Sequence, residues 1–257
     1  MTFIQKAIGQ GIAILFGASG EIVTEKSGNL NLGIPGIMYM GGIAGLMGAF
    51  FYENHAVSPK GVIGALIAVL CALLAAAFGG LIYSFLTITL RANQNVVGLA
   101  LTTFGIVLNK TRLGLNLKAV GESPATADAA GIAVSRYKYV ATIIGAMIAG
   151  LGGLYYVMEY FGGTWSNNGF GDRGWLAIAL VILALWSPAK AIVGSILFGG
   201  LYILSIYLPG LTRATQELVK MSPYVLTIIV LILSSRRNKL ENQPPASLGT
   251  PYFREER

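Results

Sequence analysis

The sequence predicts an all-α integral membrane protein of about eight transmembrane helices, some broken or re-entrant, with both termini cytoplasmic. Three observations predict it. Apolar residues make up 54% of the 257-residue chain and charged residues only 11%, with a mean hydropathy of +0.67; soluble domains carry about 25% charged residues. The apolar runs approach the roughly 20 residues that cross a hydrocarbon core about 30 Å thick. Short strands of alternating polarity are absent, which argues against an outer-membrane barrel.

The runs come in order at residues 3–23, 33–52, 61–86, 95–112, 137–160, 174–186, 189–208 and 221–235. The first pair is separated by only a few polar residues and the sixth run is short for a crossing, so either place can hold a broken or re-entrant helix. The start, MTFIQKAIGQ, lacks the basic region and small-residue cleavage site of a secretory signal, and no cleaved leader is expected. Residues 1–235 form the membrane domain and 236–257 a polar cytoplasmic tail.

Basic residues in the connections orient the spans. With the N-terminus inside and eight alternating spans, five of the 18 Lys and Arg fall outside: Lys26, Arg91, Arg173, Arg213 and Lys220. The other 13 fall inside. A net charge of +7 then reflects loops facing anionic lipid, and no nucleic-acid partner is needed to explain it. Cys71 and His55, each the only one of its kind, make a metal centre on such ligands improbable.

Three polar interruptions are candidates for function. EIVTEKSGNLNLGIPG (residues 21–36) places Glu21 and Glu25 four apart, on one helical face if the helix continues, followed by Asn29 and Asn31. Irregular backbone at membrane depth must be buried in protein or line water. RANQN (residues 91–95) offers Asn93, Gln94 and Asn95, whose paired donors and acceptors suit neutral hydroxylated or heterocyclic solutes. TWSNNGFGDRGW (residues 164–175) ends in Asp172, Arg173 and Trp175. Each of the three also reads as a polar knot or turn that fixes packing. Small residues at four-residue spacing, as in Gly41/Gly45 and Gly145/Ala149/Gly153, allow close helix contact, within one subunit or between two.

KAVGESPATADAAGI (residues 118–132) is a polar, Ala-rich insert within a loop of about residues 113–136 that the charge count places in the cytoplasm. Ser123 as N-cap, Pro124 at the first helical position and Gly131 past the end predict a two-turn surface helix. Its small side chains suit docking into a partner's groove. No Ser/His/Asp set and no G-x-x-x-x-G-K-[ST] phosphate loop occurs.

GEIVTEKSGNLNLGIPGIMYMGG (residues 20–42), AVGESPATADAAGIAV (119–134), GDRGWLAIALVIL (171–183), and MSPYVLTIIVLIL followed by PASLGTPYFREE, stand in the order found in one family. The chain resembles ABC importer permeases of the branched-chain amino acid, ribose and nucleoside group, closest to the simple-sugar and nucleoside branch. Lys26 stands where that group has Arg, and Ala184-Leu185 where it has Gly-Arg. The resemblance implies a non-enzymatic permease subunit in the cell membrane that binds no cofactor. ATP is used by a separate cytoplasmic ATPase, and solute arrives from an extracytoplasmic binding lipoprotein. A second permease is expected, giving a heterodimer. Glu122, Pro124, Ala127, Asp128 and Gly131 would form the helix coupled to the ATPase. Asn29, Asn31, Asn93, Gln94 and Asn95 would line the solute path. The solute expected is a nucleoside, purine first, with a simple sugar as the alternative; the rival from another class is a self-sufficient secondary transporter.

Overall fold

In a computed structural model, residues 3–89, 120, 122–164, 171–235, 243–250 and 252 are described. Among the described residues nine α-helices follow one another: α1 (Phe3–Lys26), α2 (Ile34–His55), α3 (Gly61–Ser84), α4 (Pro124–Ala129), α5 (Val134–Tyr155), α6 (Arg173–Leu183), α7 (Pro188–Tyr207), α8 (Arg213–Lys220) and α9 (Ser222–Ser235). Single π-helical turns, Phe85–Thr89 and Tyr156–Tyr160, prolong α3 and α5. No strand occurs among the described residues.

Among the described residues six stretches are long and apolar enough to cross a membrane: α1, α2, α3 with its π turn, α5 with its π turn, α7, and the α8–α9 stretch Arg213–Leu233. The expected short sixth run forms α6, whose 11 residues cover about 16 Å, half a hydrocarbon core. The run expected at 95–112 lies outside the described residues, as do Asn93, Gln94 and Asn95.

Helix α1 is the axis of the bundle. About 72% of its apolar window is buried, against 22% for α3, which turns Val62, Leu66, Leu70, Leu74 and Phe78 outward. Lipid supplies little hydrophobic drive between helices, so contact depends on close backbone approach. A Cβ on Gly153 of α5 would sit 1.7 Å from the Met38 carbonyl oxygen of α2. One on Gly199 of α7 would sit 2.1 Å from the Ala7 carbonyl oxygen of α1. Gly41 meets Gly150, and Gly45 meets Leu154. The small-residue stripes therefore pack helices of one chain together.

Contacts also fix the direction of each helix. Phe3 packs edge-on against Tyr207, so α1 begins where α7 ends. At the opposite end, Gly28, just past α1, accepts a hydrogen bond from the Gly249 amide. The Tyr83 hydroxyl near the end of α3 donates to the Leu30 carbonyl at this same end. Asn29 bonds Thr142 in the first turns of α5 there as well. The start of α1 and the C-terminal segment thus lie at opposite ends of the bundle. Eight alternating spans would have brought the two termini to one side; the contacts of Phe3 and Gly249 place these two residues apart.

Gly153→Ala should lower thermal stability sharply, by about 3 kcal/mol or more, because the added methyl meets backbone rather than a side chain that can turn away. Gly9→Ala, where nothing lies within 4 Å of the added carbon, should be neutral or slightly stabilising. Melting of both variants in detergent checks the contrast.

Candidate functional site

The α1–α2 connection carries the densest polar cluster. Helix α1 continues through Lys26, so Glu21 and Glu25 do share a face; both are buried. Ser27, Asn29 and Asn31 in the connection are fully buried too. Gly28 turns the chain with φ of 81°, a conformation that needs glycine. The Asn29 Nδ2 donates to Thr142 Oγ1 at 3.1 Å, and Asn31 Oδ1 accepts from the Gly33 amide at 3.1 Å, just before α2. Pro35 follows in the first turn of α2, where its missing N–H costs nothing.

Several polar atoms in this region are buried without a hydrogen-bond partner: both carboxyl oxygens of Glu21, Asn29 Oδ1, Asn31 Nδ2 and Ser84 Oγ. Such groups each cost about 1–3 kcal/mol unless water or another partner reaches them. The arrangement is a polar, water-demanding patch enclosed by α1, α2, α3 and α5.

Glu25 is held from the far side of the sequence. Its carboxylate accepts the indole N–H of Trp186, 161 residues away. Trp186 reaches it because α6 ends in a Schellman motif. The Trp186 amide donates to the Val181 carbonyl and the Leu185 amide to that of Ile182. This puts Leu185 and Trp186 at φ of 53° and 55°. Glycine is the usual residue for such a turn, and the chain has none at either position.

A second cluster sits at the other end of α6. Arg173 is buried, with its guanidinium carbon 4.2 Å from the Tyr156 ring centroid, 4.9 Å from Tyr202 and 5.7 Å from Tyr160. Its Nε donates to Gln10 Oε1 of α1 at 3.2 Å. The π turn after α5 stacks Tyr156 on Tyr160, with centroids 5.0 Å apart. Tyr224 of α9 donates to Asp172 at 2.9 Å. The sequence singled out Asp172, Arg173 and Trp175 but missed Gln10, Tyr156 and Tyr202, which lie in plain apolar runs. Trp175 is half exposed and outside the cage.

Helix α4 forms as its punctuation implies. Pro124 opens it. Gly131 takes φ of 82°, and the amides of Ile132 and Gly131 bond the carbonyls of Ala127 and Asp128, closing a second Schellman motif. Ser123 holds the extended N-cap backbone, yet its hydroxyl meets Thr126 Oγ1 rather than an orphan amide. Ala127 is buried with Val120 and Val134, against Ile132 and Tyr252. Ala125, Thr126 and Ala129 are exposed. Glu122 and Asp128 both face the C-terminal segment: the Ala246 amide donates to Glu122 at 3.3 Å and the Tyr252 hydroxyl to Asp128 at 2.8 Å.

The profile of the family described as "Branched-chain amino acid transport system / permease component" matches residues 99–231, half the chain. The chain belongs to this permease family. With its apolar helices, that makes the permease a multi-pass protein of the cell membrane. It is 27% identical over 321 aligned positions to TsgC13 of Haloferax volcanii, a protein assigned as a glucose ABC transporter permease, covering 94% of each chain. It is 24% identical to the guanosine ABC transporter permease NupQ of Bacillus subtilis, covering 95% of this chain and 94% of the other. The nucleoside ABC transporter permease NupC of Lactococcus lactis is 36% identical across 49% of this chain and 41% of its own. No solved structure matches the permease. As 94% of 257 residues is about 242, roughly 80 of the 321 positions aligned with the Haloferax protein have no counterpart here.

The structure gathers Asn29 and Asn31 into one cluster, and at the same end of the bundle it places Pro124, Ala127 and Asp128 in α4 with Glu122 and Gly131 flanking it. Trp186→Phe should cost about 1–3 kcal/mol, because it removes a donor from a buried carboxylate while keeping the ring. Leu185→Gly should gain about 1 kcal/mol by relieving left-handed backbone. Detergent melting curves of the two variants, shifted in opposite directions, check both.

Proposed function

We propose that this permease is one of two membrane subunits of an ATP-driven importer for nucleosides, purine nucleosides foremost. One observation carries the coupling half of this reading: a short helix, α4, closed at its C-terminal end by a Schellman motif, seated through Ala127 and presenting Ala125, Thr126 and Ala129 outward, in a chain of the permease family. Small exposed side chains on a short rigid helix fit a groove on a cytoplasmic ATPase, which binds and hydrolyses ATP itself; this chain is not an enzyme and holds no cofactor.

On this reading the end bearing α4 and residues 243–252 is cytoplasmic, and α1 begins outside. A binding lipoprotein delivers solute to the outer end, near the Arg173 cage. A second, different permease completes the path. ATP-driven closure of the ATPase moves α4, and the subunits rock so that a central path opens to each side in turn. Asn29 and Asn31 lie on or beside that path, and opening it hydrates donors and acceptors that are buried without partners in the closed bundle. Asn93, Gln94 and Asn95 are proposed for the same path from the sequence alone. The nucleoside assignment is supported by the names of the Bacillus and Lactococcus relatives. The Haloferax relative, aligned over nearly its whole length, favours a simple sugar as second reading.

ATP-dependent uptake of labelled guanosine into proteoliposomes should require this chain together with companion permease, ATPase and binding protein. Asn31→Ala should cut uptake about tenfold, equivalent to about 1.4 kcal/mol, with the reconstituted amount unchanged. Glucose uptake without guanosine uptake would move the solute. Uptake by this chain alone on an ion gradient would overturn the importer reading.

A further inference from the structure

We infer that the C-terminal segment is a working part of the coupling element, a strap that ties α4 to the buried polar connection between α1 and α2. The inference rests on the reading of α4 as the ATPase-contacting helix and extends it to residues at the far end of the chain.

Four hydrogen bonds trace the strap. From residue 246 onward, the Ala246 amide donates to Glu122 before α4, and Ser247 Oγ to the Val120 carbonyl at 3.5 Å. Two residues later the Gly249 amide donates to the Gly28 carbonyl at 3.2 Å. The Tyr252 hydroxyl then returns to Asp128 in α4, and the tyrosine packs against the cluster of Val120, Ala127 and Val134. The segment thus alternates between α4 and the α1–α2 turn within seven residues. Turns brace it locally: the Leu248 amide bonds the Pro245 carbonyl, Thr250 bonds Ser247, and Gly249 takes φ of 80°.

Connectivity explains why a strap matters here. Among the described residues, α4 packs on Val120 and Ile132 in its flanks, on Val134 and Tyr137 in the first turn of α5, and on Tyr252 of the strap, so α5 and the strap are the two routes by which a push on α4 reaches the bundle. Gly28 is the turn residue between Glu25, held by Trp186, and Asn29, held by Thr142. A displacement of α4 carried through residues 246–252 therefore arrives at the cluster proposed to open. Tyr252 is a positioning residue in this scheme: it touches neither solute nor nucleotide and acts through Asp128. The side chains that the sequence would assign to ATPase contact, Glu122 and Asp128, instead spend their carboxylates on the strap, leaving Ala125, Thr126 and Ala129 for the partner.

The test is the ratio of solute moved to ATP hydrolysed in the complete reconstituted complex, read beside ATPase association with the permease pair. Tyr252→Phe keeps the ring against Ala127 and removes only the hydroxyl. It should lower the ratio at least fivefold while the ATPase stays bound; deletion of residues 243–257 should lower it further. Tyr252→Ala should match the deletion more closely than Tyr252→Phe does. Ala129→Arg, which places a long cation on the exposed face of α4, should abolish association itself. If Ala129→Arg blocks association while Tyr252→Phe and the deletion both keep the wild-type ratio, the strap is overturned and the docking role of α4 stands. If Ala129→Arg leaves association intact, the docking reading falls and the strap falls with it.

Discussion

Two hydrogen bonds between α1 and α6, one near each end of α6, govern the rest of the bundle. Gln10 takes the Arg173 Nε, and Glu25 takes the Trp186 indole. Fifteen residues separate the α1 partners, and thirteen separate Arg173 at the start of α6 from Trp186 in the turn after it, so α6 runs parallel to α1 over its whole length of about 16 Å. A half-length helix has too few apolar side chains to hold itself in lipid by packing. Polar ties at both ends fix its register instead. The neighbouring helices then close on α1 by backbone contact, as at Gly199 against Ala7 and Gly11 against Ser195.

This design concentrates polarity where the helices stop being regular. The connection from Ser27 to Gly33 exposes backbone groups that lipid cannot satisfy, so protein must enclose it. Thr142 of α5, Tyr83 of α3 and Trp186 in the turn after α6 converge to do so. Enclosure is incomplete at Glu21, Asn29, Asn31 and Ser84, whose unpartnered atoms raise the energy of the closed bundle. Water or solute admitted between these helices would lower it. On the reading proposed above, this connection is the joint that moves; the opposite end, around Arg173, is held by aromatic rings and a hydrogen bond to Gln10, whose Nε2 is itself buried without a partner.

Much of this was legible in the sequence because membrane residence simplifies the code. Apolar length gave the long helices, and the Pro124 and Gly131 punctuation gave α4 almost residue by residue. The buried turn was legible too, since Gly28, Asn29, Asn31 and Pro35 have no other place in lipid. Partners were not legible. Nothing local announces that Trp186 serves Glu25 or that Tyr252 serves Asp128, because those pairings are 161 and 124 residues apart. The sense of the first crossing was not legible for a different reason. Inverting the first three crossings together exchanges Lys6 and Lys60 for Lys26 and Arg91, two for two, so the charge balance is blind to it. Only the contacts of Phe3 and Gly249 decide.

The left-handed pair Leu185–Trp186 shows how such a site is held. Each residue carries a penalty of about 1–2 kcal/mol for that conformation, which local sequence does nothing to relieve. The Trp186–Glu25 hydrogen bond involves a carboxylate and contributes about 1.5–3 kcal/mol, comparable to the penalty at both residues together. Extended backbone at 185 and 186 would carry the indole away from α1 and strand the Glu25 carboxylate. The turn and the buried acid therefore stabilise each other, and neither conformation is stable without the other. Pro188 at the start of α7 then restricts the chain leaving the turn, so α7 sets off against α1 in one direction only. A joint balanced in this way responds to small displacements of Glu25, which lies three residues from the Gly28 contact of the C-terminal segment.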